Sequence, residues 1–218
     1  MDDTCSAVCH KFQNKTYWEP DMARSFEFFF DYASATAPLA VPLIAAIEKR
    51  TGAQSVWRPM FLGGVMQATG NRPPGTVPAK GKYMARDIQR CAAHVGIPFY
   101  MNPAFPVNTL AALRATLGFE DKAEQRRFAS ACFHESWSVP QPLNLGDPAH
   151  LQQLCEKHGF DPARVAAMAT DPVNKEKLKA NTDEAVARGV FGAPSFFVDG
   201  DLFFGHDRLD YVERALAA

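Results

Sequence analysis

Apolar side chains crowd into Ser25-Phe-Glu-Phe-Phe-Phe-Asp31, a short run that ends on an acid. Aromatic bulk over so few residues predicts a strand, and its near-continuous hydrophobicity suits a central strand covered on both faces. The turn Tyr32-Ala-Ser-Ala-Thr-Ala-Pro38 follows, and Leu39, Leu43, Ile44 and Ile47 then recur at helical spacing. Ser34 or Thr36 is available to cap that helix, Pro38 suits its first turn, and Pro42 predicts a kink inside it. Gln54–Arg58 reads as a second strand that stops at Pro59. Near the other end of the chain, Ser195–Val198 and Leu202–Phe204 flank Asp199-Gly200-Asp201, the pattern of a tight hairpin entered through Pro194. A last helix puts Leu209, Val212 and Leu216 on one side, with His206 or Asp207 near its N-cap.

The middle of the chain has a different rhythm. Met60-Phe-Leu-Gly-Gly64 and Ala68-Thr-Gly-Asn-Arg-Pro-Pro-Gly-Thr-Val-Pro78 cluster turn formers and predict a shaped loop. Beyond Lys80, Tyr83, Met84, Ile88, Cys91 and Val95 form a helical stripe. Phe99, Tyr100, Met101, Phe105, Pro106 and Val107 either fasten the following helices to the sheet, the reading composition favours, or surround an apolar or aromatic ligand. Those helices are predicted at 108–117, 121–138, 149–158, 162–170 and 173–188, three of them opened by Asp147-Pro148, Asp161-Pro162 and Asp171-Pro172. A β-α-β start and a β-β-α finish assemble most simply as a thioredoxin-like sheet, an α/β fold with a large all-helical insertion. The expected division is an N-terminal extension over 1–22, a thioredoxin-like domain from 23–60 and 189–218, and an inserted helical domain over 61–188.

Composition narrows the function classes. A hydrophobic share of 47% over 218 residues excludes a disordered chain, and no apolar run is long enough to cross a bilayer. A formal net charge of -1 gives no reason to expect nucleic acid as a partner. None of Cys5, Cys9, Cys91, Cys132 and Cys155 forms a Cys-x-x-Cys pair, and the last three fall in apolar helical patterns. Buried reduced thiols and a cytoplasmic location are therefore expected. Cys5, Cys9 and His10 lack a completing pair, so no metal site is predicted. Residues 1–22 show no charged start followed by an apolar segment, and they are expected to be a flexible extension.

Candidate chemistry gathers at two distant places. Ser34 stands where a helix N-terminus favours negative charge, and Gly192 with Pro194 shapes a turn that presents the backbone of Ala193. Phe28-Phe-Phe-Asp-Tyr-Ala-Ser34, Phe61-Leu-Gly-Gly64, Ala68-Thr-Gly-Asn-Arg-Pro-Pro74, Pro78-Ala-Lys-Gly-Lys-Tyr-Met84, Phe105-Pro-Val-Asn108, Gly189-Val-Phe-Gly-Ala-Pro194 and Gly205-His-Asp-Arg208 occur in that order. Together they resemble the 2-hydroxychromene-2-carboxylate isomerases and the related kappa-class glutathione transferases, over about residues 25–213.

The resemblance implies a thioredoxin-like fold holding an all-helical insertion, glutathione as cofactor, an aromatic carboxylate as substrate and a homodimer. It places Ser34 beside the glutathione sulfur, as a donor that lowers the thiol pKa. It also implies a cis bond before Pro194, with the Ala193 backbone pairing with the glutathione peptide. His206 and Asp207 would receive the γ-glutamyl end, and Asn71 and Lys80 would lie near the reaction centre. The implied activity is glutathione-dependent cis–trans isomerisation of 2-hydroxychromene-2-carboxylate or a related aromatic degradation intermediate. Conjugation of an electrophile, or glutathione binding without catalysis, are the alternatives. The family commonly carries Ser-Pro-Tyr-Ser at the active turn, but this chain has Ser34-Ala-Thr-Ala37. The absence of a cysteine at 34 or 37 argues against dithiol–disulfide exchange.

Overall fold

A computed structural model describes residues 24–217; Cys5, Cys9, His10 and the extension lie outside the described residues. In chain order the elements are β1 (Ser25–Phe30), α1 (Ala37–Thr51), β2 (Gln54–Pro59), α2 (Leu62–Thr69) and α3 (Pro78–Val95). There follow α4 (Leu110–Gly118), α5 (Lys122–Trp137), α6 (Pro148–His158), α7 (Pro162–Thr170) and α8 (Pro172–Ala187). The chain then closes with β3 (Ser195–Val198), β4 (Asp201–Phe204) and α9 (Leu209–Ala217). The four strands make one mixed sheet in the order β2-β1-β3-β4, with β1 parallel to β2 and antiparallel to β3.

Strand β1 is central, as its continuous hydrophobicity predicts. Phe28 and Phe30 face α1, α5 and α9, where Phe28 stacks on Phe196 at 5.3 Å and Phe30 meets Phe133 at 5.4 Å. Phe29 points to the other face, into a smaller cluster with Val65 of α2, Ala185 of α8 and Phe197. The strand is thus buried on both sides, which explains why its sequence does not alternate.

The helical insertion is tied to this sheet by specific bonds. Tyr32 Oη lies 2.7 Å from Thr116 Oγ1 of α4, and Trp137 Nε1 of α5 donates to the Tyr32 carbonyl at 2.9 Å. Phe99 and Val107 are buried as packing residues, while Tyr100, Met101 and Phe105 stay exposed. Each predicted Asp-Pro start is a working cap: Asp147, Asp161 and Asp171 accept from Ala149 N, Ala163 N and Val173 N. Helix α1 continues through Pro42 to Thr51.

The loop expected from Met60 onward contains helix α2 instead. Its first turn borrows partners from distant elements: Asp31 Oδ2 accepts from Leu62 N at 2.8 Å, and Thr182 Oγ1 accepts from Phe61 N at 2.9 Å. The two glycines serve close packing here. A side chain at Gly63 would sit 2.7 Å from the Phe61 ring, and one at Gly64 would lie 3.3 Å from the Thr182 methyl of α8.

Candidate active site

Register fixes where the two chemical segments meet. Phe29 of β1 pairs with Ser195 of β3, so the C-terminal end of β1 and the N-terminal end of β3 share one edge of the sheet. The turn after β1 therefore abuts Ala193-Pro194, whose peptide bond is cis. Ser34 Oγ donates to the Ala193 carbonyl at 2.8 Å, closing a contact between residues 159 positions apart. Thr36 Oγ1 stands 3.2 Å from Ser34 Oγ and 3.4 Å from the same carbonyl.

The capping role expected of Ser34 or Thr36 is not what the structure shows. Thr36 occupies the N-cap of α1, but no side-chain cap bond is made. Pro38 has no backbone N–H to offer, and Leu39 N bonds the Thr36 carbonyl at 3.3 Å. Both hydroxyls turn to Ala193 instead. That carbonyl is consequently engaged, so only half of the expected Ala193 backbone pairing surface is open. Among the described residues the Ala193 N–H has no acceptor.

Asp31 holds the turn in place. It is fully buried, and its carboxylate accepts from Ala33 N at 2.9 Å, Leu62 N at 2.8 Å and Thr109 Oγ1 at 2.6 Å. Its own carbonyl accepts from Ser34 N at 3.1 Å. Burial pushes the Asp31 carboxyl above its ordinary range, and the three donors oppose that rise without cancelling it. An acid directly after Phe28-Phe-Phe was the available sequence signal for this anchor, because a buried carboxylate must be surrounded by donors.

Gly205 N donates to the Pro194 carbonyl at 2.9 Å and brings the next two residues to the same end of the sheet. His206 and Asp207 open a groove of about 510 Å³ floored by Leu43, Ile47, Val95 and Leu209. Burial lowers the His206 pKa, with Asp207 and Asp87 pulling the other way, so the ring is neutral near pH 7. Asp207 Oδ2 accepts from Arg208 Nη1 at 2.9 Å.

Asn71 reaches the site indirectly. Its Nδ2 donates to the Phe191 carbonyl at 2.7 Å, and Phe191 packs on Phe204 with ring centroids 4.5 Å apart. Gly192 has no room for a side chain, because a Cβ would lie 2.6 Å from the Phe204 ring. Lys80 is exposed in the first turn of α3, and among the described residues no hydrogen bond or ion pair brings it to Ser34. Structure thus gathers Ser34, Ala193, Pro194, His206 and Asp207 at one sheet end and attaches Asn71 to its wall, while among the described residues no bond ties Lys80 to it. Thr36 and Asp31 belong to this site too, although sequence patterns read them only as a helix cap and a strand stop.

This geometry has a family. The DSBA-like thioredoxin domain matches residues 26–217. The chain belongs to the DSBA-like thioredoxin domain family. Within it, a 2-hydroxychromene-2-carboxylate isomerase of Sphingobium xenophagum is 29% identical over 197 residues, covering 89% of this chain and 99% of that protein. Glutathione S-transferase kappa 1 of Homo sapiens is 26% identical over 209 residues, covering 89% and 92% respectively. The solved structure of a 2-hydroxychromene-2-carboxylate isomerase superposes with a TM-score of 0.80 at 24% identity, over 88% of this chain and 94% of the other. The family's thioredoxin fold is therefore present with its helical elaboration, and the resemblance carried by the ordered motifs is borne out. Among the described residues no cluster of three or more His, Cys, Asp or Glu could hold a metal, and no helix is long and apolar enough to cross a membrane.

Proposed function

We propose that this protein is a glutathione-dependent isomerase acting on 2-hydroxychromene-2-carboxylate or a related conjugated aromatic carboxylate. The observation that carries the reading is the Ser34 hydroxyl held 2.8 Å from the Ala193 carbonyl ahead of α1. A hydroxyl cannot exchange disulfides, so a thiol reaction at this position draws its sulfur from a ligand. The surrounding groups fit such a ligand. The α1 N-terminus favours negative charge, the Ala193 N–H is an open donor, and the Asp207 carboxylate stands at the far end of the same wall.

When bound, glutathione would supply a nucleophilic thiol for reversible addition to a conjugated substrate. Ser34 donates a hydrogen bond to the sulfur and holds it as the thiolate. The Ala193 N–H pairs with the ligand's peptide, and Asp207 receives its ammonium group beside a neutral His206. Asn71 has two amide N–H donors, of which one is spent on Phe191, leaving the other for a substrate oxygen. Lys80, exposed at the start of α3, supplies positive charge for the substrate carboxylate. A homodimer, a cytoplasmic location and the division into a thioredoxin-like domain over 23–60 and 189–218 with a helical insertion over 61–188 are parts of the same proposal.

Conjugation of an electrophile is the second reading, favoured by the kappa-class relatives that match over the same length of chain. Liquid chromatography with mass detection of the products from 2-hydroxychromene-2-carboxylate and glutathione, which resolves an isomer from unreacted substrate by retention, separates the two. An isomer with the mass of the substrate is expected. A stable substrate–glutathione adduct would move the assignment to a transferase, and the absence of both would overturn each reading.

A further inference from the structure

We propose that Thr36 is a positioning residue, which takes over the Ala193 carbonyl when Ser34 turns its proton toward a bound thiolate; this rests on the glutathione reading above. The inference begins from a count of protons. Ser34 has a single O–H, and the structure commits it to Ala193 O at 2.8 Å. Donating to a sulfur means leaving that carbonyl. A buried carbonyl stripped of its donor costs about 1–3 kcal/mol, comparable with the gain from a new charge-assisted bond. Unless another donor replaces it, the transfer gains little.

Thr36 is the donor already in place. Its Oγ1 lies 3.4 Å from the same Ala193 oxygen and 3.2 Å from Ser34 Oγ, so a small rotation of the side chain completes the replacement. The hydroxyl is also released from the work that threonine ordinarily does at this position. An N-cap side chain accepts from the backbone N–H two or three residues on. Here Pro38 has none, and Leu39 N is bonded to the Thr36 carbonyl, so no cap bond competes. Ala193 is 8% exposed and Ser34 7%, which leaves water a poor substitute donor.

In the bound state the geometry points to Thr36 O–H donating to Ala193 O, and Ser34 O–H donating to sulfur. The family's common Ser-Pro-Tyr-Ser turn has an aromatic at this position. The threonine therefore alters how the serine's proton is set free.

The test is titration of bound glutathione, following by NMR the cysteine β-carbon of the labelled ligand across pH, with binding checked by calorimetry. Wild type is compared with Thr36→Val, Thr36→Ser and Ser34→Ala. Losing one hydrogen bond of ordinary strength should weaken the ionisation of the bound thiol by about threefold to tenfold in Thr36→Val. Thr36→Ser, which keeps the hydroxyl, should restore it, and Ser34→Ala should give the largest loss. A Thr36→Val protein that binds glutathione with the wild-type thiol pKa would overturn the role of Thr36 alone. A Thr36→Ser protein as impaired as Thr36→Val would also overturn it, because the methyl and not the hydroxyl would then matter. Wild type that fails to bind glutathione would overturn the functional reading together with this one.

Discussion

Asp31 shows how a single buried charge organises the site. Its two oxygens serve the Ser34 turn, the start of α2 and Thr109 ahead of α4, so three segments meet on one side chain. Asp31→Asn keeps one acceptor oxygen but turns an NH2 against the Leu62 N–H, and should destabilise the protein by about 2 kcal/mol. The pH dependence has a definite sign. Burial raises the Asp31 carboxyl, so the folded protein retains a proton that the unfolded chain releases in the ordinary carboxylate range. Its contribution is fully present below that range and is lost as pH rises through the raised value. Chemical denaturation at a series of pH values should show the advantage of wild type over Asp31→Asn narrowing as pH rises; a widening gap would contradict the assignment. Residues of this kind are only half legible in sequence. An acid closing Phe28-Phe-Phe reads as a strand stop, because the donors that satisfy it come from residues 33, 62 and 109. Thr36 reads as a cap for a similar reason: what redirects its hydroxyl is Ala193, far along the chain.

Elements whose partners are local were legible, and those completed from elsewhere were not. The Asp-Pro starts of α6, α7 and α8 carry their caps within three residues, and each was readable. Helix α2 was hidden by its glycines and by turn formers, since Asp31 and Thr182 satisfy its first donors. The pair α5 and α6 illustrates a second buried carboxylate with the opposite sign. Burial alone would raise Glu135, but Lys157 Nζ at 2.9 Å and His158 Nε2 at 2.8 Å outweigh it and leave the carboxyl lowered. Its contribution is present above the ordinary carboxylate range and is lost as pH falls through the lowered value. Glu135→Gln should cost about 2 kcal/mol near neutrality, from the weakened charge-assisted bonds. Thermal melts should show the difference from wild type shrinking toward acid. A difference independent of pH would mean that Glu135 acts by packing alone.

At the scale of the molecule, the sheet's two faces do different work. The large face, under α1, α5 and α9, is a conventional apolar core, and its aromatic residues made the α/β frame readable from sequence. The other face is closed by α8 through a ring of charges: Arg58 with Glu27 and Glu184, and Arg188 with the same two carboxylates. The Arg188 guanidinium also lies 3.8 Å from the centre of the Phe197 ring. This fixes α8 where the chain leaves it for Gly189-Val-Phe-Gly-Ala-Pro194, so the wall that carries Ala193 is anchored to the sheet on the side opposite Ser34. Neither that wall nor its distance from Ser34 is visible in local patterns, and only the ordered motifs joined the two before the fold did. A serine at the head of α1, bonded to the Ala193 carbonyl and lacking a thiol neighbour at 37, is the basis of the proposal that the reacting sulfur comes from a ligand. Time-resolved NMR of the purified protein with 2-hydroxychromene-2-carboxylate, with and without glutathione, tests that claim most directly. Rapid approach to the isomer equilibrium only when glutathione is present is the predicted result. Equilibration at the uncatalysed rate in both samples, or equally fast in both, would contradict it.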